Sequence, residues 1–136
     1  MNILNERPPI WDRAQKVFKF KDEDPILFSW GDILYNPAGV QVDDHFRTHE
    51  ETHGRQQKAM GGPEIWWERY LTDVAFRLDQ EAEAYAKQWM SFRIRYRNNS
   101  GRQTRYLLKL AEVMASPLYG GNITESDALA MIKKYL

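Results

Sequence analysis

The sequence contains no cysteine, which excludes disulfide bonds and thiolate metal sites. A bound metal ion would therefore take its ligands from histidine, aspartate or glutamate. The sequence also lacks net charge, because nineteen basic residues balance nineteen acidic ones. This balance removes the global attraction that a dedicated nucleic-acid or membrane-surface protein usually carries, so only a local patch would bind a polyanion.

Long apolar runs are absent as well. None approaches the roughly 20 residues that span a bilayer, and the N-terminus has no basic segment followed by an apolar one. We therefore expect a soluble, cytoplasmic protein that does not bind a membrane. The 136 residues, of which 43% are hydrophobic and 28% charged, predict a single domain over residues 1–136 with its own core.

The first half of the chain predicts a small sheet followed by a helix. Two short aromatic-rich runs within about residues 26–36 are separated by turn residues and predict a hairpin or two edge strands. Before them, prolines and a charged run leave room only for a turn of helix near residues 11–17. No breaker interrupts the pattern from about 43 to 60, and Asp43 or Asp44 can cap the helix predicted there.

The second half of the chain predicts helices only. Apolar and aromatic residues recur at helical spacing over about residues 64–90, which predicts one long helix. A helical tail follows over about 102–136, and Thr124 with Asp127 resembles a capping box at the start of its last helix. The predicted fold class is α+β and mostly helical, with the small sheet packed on the helix of residues 43–60.

The helix predicted over residues 43–60 contains the sequence His49-Glu50-Glu51-Thr52-His53. Residues four apart on a helix lie on one face with Cβ atoms about 5 to 6 Å apart, so two imidazoles can reach one tetrahedral ion. Glu50 lies about 100° around the helix, where a carboxylate can hold a metal-activated water and accept its proton. The alternative interpretation is two hydrogen-bonded core histidines and a solvated glutamate.

A tetrahedral catalytic site needs a third protein ligand and an open position for water. No histidine follows His53, so an acidic residue is expected. Relative to an apolar stripe centred on Val74, Glu81 faces the core and Glu83 faces solvent. A buried carboxylate calls for a cationic partner, which is either a metal ion or the side chain of Arg77, four residues earlier.

These residues resemble gluzincin-type zinc metallopeptidases, in which HExxH on one helix is completed by a glutamate on a following helix, often in an E-x-x-A context. Here that context is Glu81-Ala82-Glu83-Ala84. In size, the chain is similar to small zincin-like proteins of bacteria and their phages. Those proteins carry a short strand, HExxH with a glutamine three residues on, and an E-x-E-A-Y segment. The resemblance covers about residues 30–85.

The resemblance implies one zinc ion per chain, bound by His49, His53 and Glu81, with Glu50 as the general base. It also implies a zincin-like fold and a peptide-docking edge at the strand near residues 33–35. We therefore predict a zinc metallopeptidase that cleaves a peptide or related amide bond of a peptide or protein substrate with a metal-activated water.

Four more residues are candidates for the surroundings of this site. Tyr85 and Tyr70 are either oxyanion donors or core aromatics. Gln56 either orients a ligand or is an ordinary polar residue at a helix edge. His45 extends the histidine row by one turn, and it is a substrate contact, an alternative ligand, or a half-buried residue outside the ligand set.

The segment from residue 93 to 109 is the one candidate binding segment for a polyanion, because it is rich in basic residues and has no acidic one. Charge runs are more often solvated helix faces, and zero net charge disfavours nucleic acid as the partner. Two alternative functions follow: a non-catalytic, zinc-stabilised structural or regulatory phage accessory protein, and a nucleic-acid-binding protein. The arginines available to a polyanion are Arg93, Arg95, Arg97, Arg102 and Arg105.

Overall fold

The computed structural model describes all 136 residues, and most of them are helical. This confirms the α+β, mostly helical fold class. None of the helices is both long enough and apolar enough to cross a membrane. In chain order the elements are β1 (Asn2–Leu4), α1 (Trp11–Phe18), β2 (Phe28–Trp30), β3 (Ile33–Tyr35), α2 (Asp44–Met60), α3 (Pro63–Thr72), α4 (Val74–Arg95), α5 (Ser100–Met114), a 3-10 turn (Pro117–Tyr119) and α6 (Glu125–Lys133).

The sheet has three strands in the order β1-β3-β2. β3 pairs in parallel with β1 and antiparallel with β2, so the predicted hairpin is confirmed. Sequence reasoning missed β1, because three residues are too few to show an alternating pattern. The peptide-docking edge predicted near residues 33–35 is wrong, since β3 is the central strand and both of its edges are paired.

Side chains from the helices occupy part of the outer edge of β2. The buried amide of Gln57 accepts a hydrogen bond from Gly31 N at 2.7 Å and donates one to Ser29 O at 3.0 Å. Trp67 Nε1 donates to the same carbonyl oxygen at 2.9 Å. Gln57 thus pairs with this edge much as a neighbouring strand would, and it ties the hairpin to α2.

Gly54 explains how α2 comes so close to the hairpin. A Cβ atom on this residue would lie 2.8 Å from the carbonyl oxygen of Gly31, closer than real side chains approach a backbone oxygen. Glycine therefore costs α2 some helix propensity, about 1 kcal/mol relative to alanine, and permits the contact that aligns the helix with the sheet.

The single helix predicted over residues 64–90 is wrong, because the chain forms two helices that meet at Asp73. Asp73 has extended backbone angles, and its carboxylate accepts a hydrogen bond from Phe76 N at 3.0 Å. An aspartate at this position starts a new helix without any glycine or proline. The apolar stripe was also misplaced, since Val74 is exposed.

Two apolar clusters flank α2. One is formed by α4, α5 and α6, and its buried members include Leu78, Leu110 and Ile132. The other joins the N-terminal segment to α3 through aromatic side chains such as Trp11 and Trp66. The capping box predicted for α6 is confirmed. In contrast to both clusters, every buried residue of α2 is polar: His49, Glu50, Thr52, His53, Gln56 and Gln57.

Replacing Gln57 with alanine should lower the free energy of unfolding by about 2 to 4 kcal/mol. The change removes both hydrogen bonds to the β2 edge and leaves a cavity beneath it. Urea denaturation of the metal-free protein, followed by circular dichroism, measures the loss. Gln41→Ala, at an exposed glutamine, is the matched control and should change the value by less than about 0.5 kcal/mol. Equal stability of the Gln57 variant and wild type would contradict the edge-pairing role.

Candidate metal centre

Helix α2 and helix α4 bring three buried side chains to one point. His49 and His53 lie one helical turn apart, and their Nε2 atoms are 3.1 Å from each other. Glu81 on α4 places Oε1 3.1 Å from His53 Nε2 and Oε2 3.2 Å from His49 Nε2. The three residues are therefore close enough to hold one metal ion.

The spacing of the two histidine nitrogens matches a tetrahedral ion. Zinc at about 2.0 to 2.1 Å from each ligand separates neighbouring donors by roughly 3.3 Å, close to the 3.1 Å between the two Nε2 atoms. Glu81 presents a different carboxylate oxygen to each histidine. Two facing imidazole nitrogens can share at most one proton. Glu81 Oε2 is buried and makes no hydrogen bond although His49 Nε2 is 3.2 Å away, so the cluster leaves one carboxylate oxygen that a metal ion could engage.

Gln56 fixes the ring of His53 in the orientation that a metal ligand needs. The amide oxygen of Gln56 can only accept, so His53 Nδ1 donates the 2.8 Å hydrogen bond between them. The amide nitrogen of Gln56 in turn donates to Gln80 O at 3.0 Å and to Glu83 Oε1 at 2.8 Å. This leaves Nε2 of His53 facing the other donors, the arrangement expected of an oriented ligand. Glu83 is thus half-buried and bonded, and does not simply face solvent.

Tyr70 holds Glu81 in a similar way. Its hydroxyl donates to Glu81 Oε1 at 2.8 Å, and both side chains are buried. Because this proton is already used, Tyr70 is poorly placed to donate to an oxyanion. The tyrosine instead orients the carboxylate and stabilises its charge.

The charges of the cluster depend on one another. Burial alone would lower the pKa of His53, but the neighbouring Glu81 carboxylate outweighs it and raises that pKa to about 9. Burial alone would raise the pKa of Glu81, but His53 and His49 outweigh it and bring that pKa below its usual value. An ionised carboxylate at this depth requires positive charge beside it, which a divalent cation would supply.

Arg77 does not supply that charge through an ion pair. It is buried, yet its guanidinium donates to three backbone carbonyl oxygens, those of Tyr70, Leu71 and Tyr119, at 2.7 to 3.0 Å. The alternative Arg77–Glu81 pair is therefore not formed. Arg77 instead caps the end of α3 and ties the 3-10 turn to it.

Tyr85 and His45, the two remaining residues predicted from the sequence, lie in different places. Tyr85 is buried with its ring 4.7 Å from that of His49, and its hydroxyl is 2.6 Å from the hydroxyl of Tyr119. His45 packs instead among the aromatic rings of Phe92 and Tyr106, and it is not one of the three residues that could hold a metal ion.

A cavity of about 110 Å³ opens onto the cluster. It is lined by Glu50 and the three candidate ligands on one side and by mostly apolar side chains elsewhere. Sequence reasoning missed Tyr119, which reaches this cavity from the 3-10 turn, because nothing local in the sequence marks a residue that far along the chain. The apolar wall includes Phe18, Phe20, Ile26, Phe28, Trp66 and Leu118.

No protein-family model, curated protein or solved structure matches this chain. The chemistry of the site therefore rests on its own geometry. The five arginines singled out from the sequence lie elsewhere, and none of them lines the cavity.

Wild-type protein should bind one zinc ion per chain, and His49→Ala and Glu81→Gln should each weaken binding more than about 100-fold, since each removes a donor atom. Elemental analysis after dialysis, on protein purified without a polyhistidine tag, measures the zinc content. Asp79→Asn is the matched control for Glu81, because this exposed carboxylate lies on the same helix and bonds to Tyr135, outside the donor set. Zinc retained by both ligand variants would contradict this assignment.

Tyr70→Phe should keep the fold and the three ligands but weaken zinc binding about 10- to 100-fold, because the carboxylate loses the hydroxyl that orients it. Competition with a chromogenic zinc chelator measures the affinity. Tyr135→Phe removes a surface hydroxyl bonded to Asp79 and should leave zinc affinity unchanged. An unchanged affinity in Tyr70→Phe would contradict the orienting role.

Proposed function

We propose that this protein is a zinc-dependent hydrolase that cleaves a peptide or related amide bond. The observation that carries the proposal is the position of Glu50. Its carboxylate lines the same cavity as the three candidate ligands, and none of the protein's salt bridges engages it. A structural metal site has no need for a free buried carboxylate beside the ligands.

Three protein ligands leave one position of a tetrahedral ion open, which is typical of catalytic and not of structural zinc sites. Zinc bound there would supply a Lewis acid and would lower the pKa of a coordinated water to about 7. His49, His53 and Glu81 would hold the ion, and Gln56 with Tyr70 would keep two of those ligands in place.

Glu50 is suited to carry the proton between the two halves of the reaction. Burial raises the pKa of its carboxyl group above the ordinary value, which makes the carboxylate a stronger base. In the proposed mechanism its carboxylate accepts a proton from the attacking water. It then gives that proton to the nitrogen of the leaving amine.

Tyr119 is the hydroxyl best placed to stabilise negative charge on the substrate oxygen. If Tyr85 donates within the 2.6 Å pair, the proton of Tyr119 is free to donate into the cavity. Tyr85 and the Arg77 guanidinium, which bonds to Tyr119 O, then act as positioning residues. A preorganised donor in a site that excludes water is the usual source of oxyanion stabilisation.

The cavity walls indicate the kind of substrate segment that binds beside the cleaved bond. Ten of the fourteen lining residues are hydrophobic, so an apolar side chain is favoured there over a charged one. With the outer edge of β2 bonded to Gln57 and Trp67 at Ser29, pairing of a substrate strand at that carbonyl is blocked.

Zinc-loaded wild type should cleave members of a quenched-fluorescent peptide library, and Glu50→Gln should reduce turnover at least about 100-fold without loss of zinc. The amide keeps the size of the side chain but cannot accept the proton. Glu51→Gln, one residue away and outside the cavity, is the matched control and should retain activity.

Two other outcomes would overturn the proposal. If zinc is bound but no peptide is cleaved by wild type, the site belongs to the non-catalytic, zinc-stabilised class. If Glu50→Gln and wild type turn over substrate equally, hydrolysis does not use this carboxylate, and the assigned mechanism fails.

A further inference from the structure

The corner between α4 and α5 concentrates the positive charge of the molecule. Residues 84–111 contain seven basic side chains and no acidic one, so all nineteen acidic residues lie outside this segment. Although the net charge is zero, the charged residues are therefore distributed very unevenly along the chain. Such a patch attracts a polyanion even when the whole protein is neutral.

The arginines of this corner are unpaired. Arg93, Arg95, Arg97, Arg102 and Arg105 are all exposed, and none takes part in a salt bridge. Asp43 and Asp44 lie near this corner at the start of α2, and Asp44 lines a surface depression together with Arg95. Neither aspartate forms an ion pair with an arginine.

Aromatic rings hold several of the guanidinium groups in place. Arg102 lies 3.8 Å from the ring centre of Tyr96, and Arg95 lies 5.8 Å from the centre of the same ring. Arg93 lies 5.4 Å from the ring centre of Trp89. Two cations near one ring repel each other, and a bound anion would reduce that repulsion.

The start of α5 adds to this unfavourable electrostatics. Its first turn contains no acidic residue, and Arg102 and Arg105 lie within its first two turns. The N-terminus of a helix carries partial positive charge and favours anions, so arginines there oppose the helix dipole. Aspartate and glutamate are enriched in the first turn of helices, so this helix start lacks the acidic side chains that usually accompany it.

We infer that this corner, defined by Arg93, Arg95, Arg97, Arg102 and Arg105, binds the phosphate backbone of single-stranded nucleic acid. Arginine is suited to phosphate because its planar fork donates two parallel hydrogen bonds. Guanidinium groups supported by aromatic rings also offer flat faces on which bases can stack. The inference is independent of the metal centre, since no residue of the corner lines the cavity.

A membrane surface fits the same charges less well. Insertion into lipid requires apolar side chains that project outwards. In the corner the ring of Phe92 is buried, and Tyr96 and Tyr106 are half-buried beneath the arginines. The exposed large apolar side chains of residues 84–111 are Met90, Ile94 and Leu108, and only Ile94 is more than about half exposed by a wide margin, at 73%.

Fluorescence anisotropy with a labelled, mixed-sequence 20-nucleotide single-stranded DNA tests the inference, with the titration repeated from 50 to 200 mM NaCl. Wild type should bind, and its affinity should fall steeply with salt as phosphate counterions return. The triple variant Arg95→Ala, Arg102→Ala, Arg105→Ala should bind at least about tenfold more weakly at 50 mM NaCl. Its slope of log affinity against log salt should be smaller by about 2.

The control variant Lys58→Ala, Lys133→Ala, Lys134→Ala removes the same charge from exposed positions elsewhere and should change affinity less than about threefold. The triple variant Arg95→Lys, Arg102→Lys, Arg105→Lys keeps the charge and should keep most of the salt slope, which excludes loss of fold as the cause. No binding by wild type, equal weakening in both alanine variants, or binding only to phosphatidylserine vesicles would overturn the inference.

Discussion

The buried polar face of α2 is the constraint on which the rest of the structure depends. A helix lying between two apolar clusters would ordinarily bury leucine or valine, but this one buries only polar side chains, two histidines among them. Every such group must find a partner, because an unpaired polar atom in the interior costs about 1 to 3 kcal/mol. The positions of these hydrogen-bond partners therefore determine how the sheet and the other helices are placed.

The partners come from two directions. On one side Gln57 pairs with the edge of the hairpin, and Gly54 lets the helix approach it. On the other side His53 and His49 meet Glu81, which Tyr70 also holds. The hairpin contacts organise the fold, whereas the cluster around Glu81 leaves one carboxylate oxygen, Oε2, without a hydrogen bond. The two histidines and this carboxylate lie close enough together to hold one metal ion.

Some features of the fold and of the candidate site could be predicted from the sequence, and others could not. The burial of Glu81 follows from its helical phase with Leu78 and Tyr85, which lie three residues before and four residues after it and are both buried. Val74, in the first turn of α4, shares this phase but is exposed. The break at Asp73 was missed because a capping aspartate acts through its side chain and leaves no breaker in the sequence. The central position of β3 depended on β1, a strand too short to show a pattern.

By itself, the sequence determined the helix that carries His49, Glu50 and His53, since a four-residue spacing on a helix places two side chains on one face. It also determined the uneven distribution of charge along the chain. The tertiary structure alone decided that Arg77 bonds to carbonyl oxygens and not to Glu81, that Tyr119 reaches the cavity, and that Gln57 pairs with β2. These contacts join residues far apart in the chain, and local periodicity carries no information about such pairs.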